Sequence, residues 1–265
     1  MQAATLIAQI EQYAPKALAW ERDPIGIQLG NPNQEIARVM TTLDVRPEVV
    51  QEAIDLGVDF IFAHHPMIFK PTRNLDLSNP QNKMYADLIK HDIVVYAAHT
   101  NLDAATGGMN DWLAEALKLS GVRPLVANPD GKTGMGRIGE LEQPVTVREY
   151  ADFVRDLFNV QAVRVIANDL ERQIKTIAVL GGDGGSEYPL AMQAGADAYV
   201  TADFYYHRAH DVLADDFVVI DPDHHMEAIA KEKLVTLVKQ WQKDYNWNLI
   251  DVIASKINTD PYTYI

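Results

Sequence analysis

One β-α-β pattern is written into this chain twice. Residues 52–65, EAIDLGVDFIFAHH, align with residues 190–203, LAMQAGADAYVTAD, at an offset of 138 that also lays Val39–Thr42 on Ile177–Leu180. In each copy a segment of helical spacing leads through a glycine turn into an apolar run of strand length. Such a unit forces parallel neighbouring strands joined by a right-handed crossover. The expectation is an α/β fold of two similar lobes with mainly parallel sheets. If the repeat reflects duplication rather than shared architecture, the lobes face a central cleft where a ligand site belongs.

The remaining pattern fills this plan. Strands are predicted at Ala37–Asp44, Val58–Ala63, Ile93–Ala98, Lys175–Leu180, Asp197–Thr201, Phe217–Asp221 and Leu249–Ser255. Helical spacing covers Pro47–Leu56, Met84–Lys90, Met109–Leu119 and Phe204–Leu213, and Thr146 with Glu149 three residues later reads as a capping box. Gly26–Pro32 reads as a turn, and Asn128–Gly134 is rich in turn residues and reads as a linker. Asp221-Pro222 reads as the cap and first residue of a long helix. These signals predict a first lobe of residues 1–127 plus 221–265 and a second of 128–220.

Composition excludes several function classes. The 265 residues include no cysteine, so disulfides, thiol nucleophiles and iron–sulfur clusters drop out together. A formal charge of −14 repels nucleic-acid backbones, so no nucleic-acid partner is expected, although a nucleotide with its cations is still admissible. The N-terminus reads as an amphipathic helix rather than a secretion signal, and no apolar run exceeds strand length. A cytoplasmic protein with no membrane partner is the expectation.

Chemistry concentrates at strand ends. Five of the eight histidines, His64, His65, His99, His224 and His225, follow predicted strands directly. Imidazoles beside carboxylates mix the ligand types that suit zinc, manganese or iron. Successive residues of an extended strand point to opposite faces, so His64 and His65 would flank two ions, or one ion and its water. Asp103 lies four residues past His99 in a turn, where an N-cap is the competing explanation. His224 and Glu227, three apart at a helix start, share one face. His225 points about 100° away and is expected to miss the metals. The loop Leu180–Ser186 is glycine-rich and could cradle phosphate, but it lacks the Lys-Ser/Thr of a P-loop. Asp203 and His207 add an acid and an imidazole one helical turn apart.

These phrases together resemble one family, the GTP cyclohydrolase 1 type 2 homologues or Nif-three-like proteins. The resemblance rests on His64-His65-Pro66, His99-Thr-Asn-Leu-Asp103, the glycines of 181–185, Thr201-Ala-Asp203 with His207, and His224-x-x-Glu227, in family order along nearly the whole chain. It implies two α/β lobes holding two divalent metal ions (zinc, iron, manganese, cobalt or nickel). The implied ligands are His64, His65, Asp103, His224 and Glu227, with Glu227 bridging. It also implies a toroidal homohexamer. The chain departs from the family at Ala202 and Asp223, where glycine is usual, and asparate at 223 predicts a local backbone adjustment ahead of His224.

The expected function is therefore a dinuclear metal-dependent hydrolase acting on a small anionic substrate. The family name makes GTP the first candidate, its purine imidazole ring opened by metal-bound hydroxide with release of formate. His99 and His207 are the expected proton-transfer groups. A two-metal phosphoesterase and a non-catalytic metal-holding scaffold are the alternatives.

Overall fold

The structure, a computed structural model, describes residues 1–265. The chain opens with α1 (Ala3–Tyr13), β1 (Gly26–Leu29), β2 (Arg38–Thr42), α2 (Pro47–Asp55), β3 (Phe60–Ala63), α3 (Pro80–Lys90) and β4 (Val94–Ala97). A short helical turn, α4 (Thr100–Ala104), and α5 (Met109–Ala116) lead to β5 (Ser120–Ala127) and β6 (Gly134–Thr146). Then come α6 (Val147–Phe158), β7 (Arg164–Ile166), β8 (Gln173–Val179), α7 (Tyr188–Gln193) and β9 (Ala198–Val200). The chain closes with α8 (Tyr206–Ala214), β10 (Val219–Asp221), α9 (Ala230–Asp244) and β11 (Asp251–Ala254). No helix is long and apolar enough to cross a membrane.

Two compact units divide the chain. The first is Met1–Leu102 with Ala228–Asp260, and the second is Asp103–Glu227 with Pro261–Ile265. These bounds differ from the expected 1–127 plus 221–265 and 128–220. The reason is the β5–β6 pairing: Asn128–Gly134 is the tip of an antiparallel hairpin with Ala127 opposite Gly134, not a linker between lobes.

In the first unit the strand order is β1-β4-β3-β2-β11, parallel throughout except for the antiparallel edge strand β1. The strands β3 and β4 are buried on every residue, as a sheet covered on both faces requires. Val49, Val50 and Ala53 of α2 and Met84, Tyr85 and Leu88 of α3 pack on Met40, Ile61 and Val95. The second unit has the order β5-β6-β8-β9-β10-β7, with a parallel centre and antiparallel edges. Tyr199, Val219 and Ile138 form its core with Val212 and Phe217. The capping box of α6 forms as expected, Thr146 accepting from the Glu149 amide at 3.1 Å and Glu149 accepting from the Thr146 amide at 2.9 Å.

The registers match at the offset read from the sequence. Val39 lies opposite Phe60 and Met40 opposite Ile61, as Ile177 lies opposite Ala198 and Ala178 opposite Tyr199. An aspartate clamps each strand pair at the same place. Asp59 Oδ2 accepts from the amides of Ala37 and Arg38 at 2.7 and 2.8 Å, and Asp197 Oδ2 accepts from Lys175 and Thr176, both at 2.8 Å. The element order β1-β2-α2-β3-α3-β4 recurs as β7-β8-α7-β9-α8-β10, with β1 and β7 both antiparallel to the last strand of their set.

The C-terminal helix departs from expectation. Asp221 is the last residue of β10 rather than a helix cap, a 3-10 turn spans His224–Ile229, and α9 starts only at Ala230. Asp223 breaks any continuous helix by adopting φ 73°, a left-handed conformation that aspartate tolerates.

Candidate metal centre

In the first unit, β3 and β4 end side by side and deliver three imidazoles. Both His64 and His65 lie beyond the last residue of β3, so strand alternation no longer separates them. Their ring centroids are 5.0 Å apart, and His99 lies 5.4 Å from His64 and 5.5 Å from His65. The potential ligand atoms of this trio fall within 4.8 Å of one another. His99, expected to serve in proton transfer, thus stands in the same cluster as two expected ligands.

Every ring of the trio is oriented through Nδ1. His64 Nδ1 donates to the Ala98 carbonyl at 2.8 Å, His65 Nδ1 to Asp44 at 2.7 Å, and His99 Nδ1 to Asp23 at 2.9 Å. A carbonyl can only accept, so the neutral His64 carries its proton on Nδ1 and presents a lone pair at Nε2. The carboxylates impose the same tautomer on neutral His65 and His99. This is the arrangement that raises the basicity of metal-binding imidazoles and fixes their aim. Asp44 is itself held by the Thr259 hydroxyl at 2.6 Å. The Asp23 carboxyl resists its burial and titrates below 3.8, because His99 and Thr100 bond to its charged form.

The second unit holds two buried carboxylates and an imidazole of its own. Asp103 and Glu227 are buried, at 6% and 2% exposure. His224 Nδ1 bonds Asp203 at 2.7 Å, and its Nε2 lies 3.2 Å from Glu227. Burial opposes a charge on His224, but Asp203 and Glu227 outweigh it and raise the imidazole to about 11. The same negative field attracts a metal cation. Asp223 accepts from the His224 amide at 2.7 Å, and the Tyr264 hydroxyl donates to Asp223 at 2.8 Å. The left-handed turn at Asp223 thus fixes the backbone of His224.

The glycine-rich loop serves this histidine and glutamate. A Cβ on Gly181 would lie 2.5 Å from Glu227 Oε1, and one on Gly182 would lie 3.3 Å from His224 Nε2. Close approach of the loop to these two side chains therefore demands glycine. Asn110, buried at 1% exposure, bridges the Asp103 carbonyl and the Gly181 amide at 3.1 and 3.0 Å. Arg137, also buried, donates to the Ala105 carbonyl at 3.0 Å and to Asp111 at 2.5 Å, fixing the segment that follows Asp103.

His207 stands on the first turn of α8, exposed, with its ring 5.4 Å from those of Tyr205 and Tyr206. His225 belongs to none of the ligand groups that could hold a metal. Reading the sequence alone missed Asp23, Asp44, Asn110 and Arg137. It also missed a second offset, 124, set by the pairing of Ile61 with Val95 and of Tyr199 with Val219. That offset places Leu102-Asp103-Ala104 on Met226-Glu227-Ala228. The two carboxylates are therefore equivalent positions of the repeat, each in the helical turn after its fourth strand.

Nitrogen and carboxylate donors of this kind, with no thiol among them, fit a divalent transition metal. Residues 1–261 match the family described as Duf34/NIF3 (NGG1p interacting factor 3). The chain belongs to this family. Among its relatives, a Streptococcus pneumoniae protein named GTP cyclohydrolase 1 type 2 homolog is 41% identical, the match covering 100% of each chain. A Lactococcus lactis protein of the same name is 36% identical over 99% of each. The crystal structure of a Bacillus cereus protein related to NIF3 superposes with a TM-score of 0.95 at 29% identity, covering 100% of this chain and 99% of that one. Within the family this chain is a short form: the alignment with a Bacillus subtilis relative runs 366 residues, against 265 present here.

Proposed function

We propose that this DUF34/NIF3 chain is a metal-dependent hydrolase in which His64, His65, Asp103, His224 and Glu227 hold two divalent ions, with GTP as the first candidate substrate. The observation that carries this reading is the tethering of four imidazoles through Nδ1, three of them by carboxylates. Metal-ligating histidines commonly carry such a partner on the other ring nitrogen, which sets the tautomer and the aim of the ring. Zinc, iron, manganese, cobalt and nickel all accept this donor set. When bound, a pair of such ions supplies Lewis acidity and an activated water.

The chain's own residues do the rest. Asp23 holds the His99 ring so that Nε2 can take or return a proton at the substrate. His207, exposed on α8, is the proposed second proton carrier. The relatives' name favours ring opening of the purine with release of formate over other hydrolyses. A ring-shaped homohexamer is proposed alongside, supported by Tyr205, Tyr206 and Ile250, each at least 60% exposed. Light scattering showing six chains supports it, and a monomer overturns it.

The test combines metal analysis of purified protein with formate release from GTP. Two equivalents of metal per chain and formate production, both lost in Glu227→Ala, are expected. Phosphate release without formate replaces the reaction with a phosphoesterase. Bound metal with no turnover of any nucleotide leaves a scaffold.

A further inference from the structure

We propose that the loop after His64-His65, together with the start of α3, forms an anion pocket that anchors the phosphate end of the substrate. The proposal rests on the hydrolase reading and adds to it a place: the substrate's phosphate end is gripped away from its reacting atom.

A cavity of about 460 Å³ is lined by Lys70, Thr72, Arg73, Asn79, Gln81 and Asn82, among others, and no carboxylate lines it. That is unusual in a chain with 37 acidic and 23 basic residues. Neither Lys70 nor Arg73 takes part in an ion pair. A second cavity, of about 300 Å³, shows the contrast. Its arginines are neutralised, Arg148 by Glu171 at 2.9 Å and Arg155 by Asp152 at 2.7 Å. The nearest acid in the loop, Asp76, is occupied by the amide and hydroxyl of Ser78 at 3.0 and 2.8 Å.

The walls are held in place. Asn82, 6% exposed, donates to Asn74 at 3.2 Å and to the Asp76 carbonyl at 3.0 Å. Gln81 and Tyr85 both donate to the Met67 carbonyl, at 3.2 and 3.1 Å. The α3 N-terminus adds the positive end of an 11-residue helix. Two uncompensated cations with amide donors match a phosphate or diphosphate better than a carboxylate of lower charge. The volume exceeds what one phosphate needs. Met67, in the wall, follows His65 by two residues, so their Cα atoms lie within about 7.6 Å. A molecule held here by its phosphates can reach the imidazoles with its other end.

The experiment is calorimetric titration of full-length protein, stripped of metal by chelation, with pyrophosphate. Wild type is expected to bind. Lys70→Gln and Arg73→Gln should each weaken binding about tenfold, the cost of one charge-assisted contact. Thr72→Glu, on an exposed loop position, should abolish it by adding a like charge. In metal-loaded protein the same variants should raise KM for GTP while kcat holds. Absent binding by the wild type, or affinities unchanged in all three variants, overturns the pocket. Failure of the hydrolase reading registers separately, as wild type that binds pyrophosphate but takes up no metal.

Discussion

At Gly181 one added methyl group reaches the Glu227 carboxylate, and the consequence can be measured. In Gly181→Ala the new Cβ, 2.5 Å from Oε1 with Leu113 at 3.0 Å behind it, must displace a glutamate that is 2% exposed. Metal affinity is expected to fall at least about tenfold, with a stability cost of about 1–3 kcal/mol from overpacking. Gly195→Ala is the control: nothing lies within 4 Å, but φ is +87°, so about 1–2 kcal/mol is lost with metal uptake intact. Equilibrium dialysis and denaturant melts separate the two. Asp23 makes a second prediction. Its carboxyl titrates below 3.8 in the fold, so its stabilising effect is complete above 3.8 and disappears as pH falls through the lower folded value. Asp23→Asn should be less stable than wild type at pH 6 and should lose less on acidification, a difference that Tm against pH reveals. The ligand candidates were legible because each follows an apolar strand. Asp23 and Asp44 were not, because they reach His99 and His65 from 76 and 21 residues away. No local spacing marks the acceptor of an Nδ1 proton.

Among the elements, the aspartate clamps connect sequence to register. Asp59 and Asp197 each accept two backbone amides that begin the parallel pairing of their strands. Replacing either by alanine leaves both amides without that acceptor, a cost of about 1–3 kcal/mol where water cannot substitute. Asp59→Ala and Asp197→Ala should therefore lower the urea midpoint by similar amounts, and widely different losses would show that the two clamps are not equivalent. The clamped β-α-β units were legible, since glycine, aspartate and a buried strand recur together at one offset. β1 and β5 were not. β1 contains Gly26 and Gln28 and reads as a turn, yet it finds its partner in β4 through Gly26 opposite Ala97. β5 is exposed except at Pro124 and Leu125, and its proline suits an edge strand and leaves no alternating pattern to read. Missing β5 moved the expected domain boundary to 127, although the chain changes units at Leu102–Asp103.

At the scale of the molecule, the second unit's main segment begins at Asp103 and ends at Glu227, so both candidate carboxylates stand where the chain changes units. Metal held by these residues would fix both ends of that segment, linking its stability to metal concentration. A ligand that binds only the folded state adds RT ln(1 + [L]/Kd), about 4 kcal/mol at a thousandfold excess over Kd. Chelation should therefore lower the thermal midpoint. Glu227→Gln should keep the thermogram of chelated wild type whether metal is added or not. Scanning calorimetry of the four samples decides the matter: coincident traces for loaded and chelated wild type would show that metal does not stabilise the segment these carboxylates bracket.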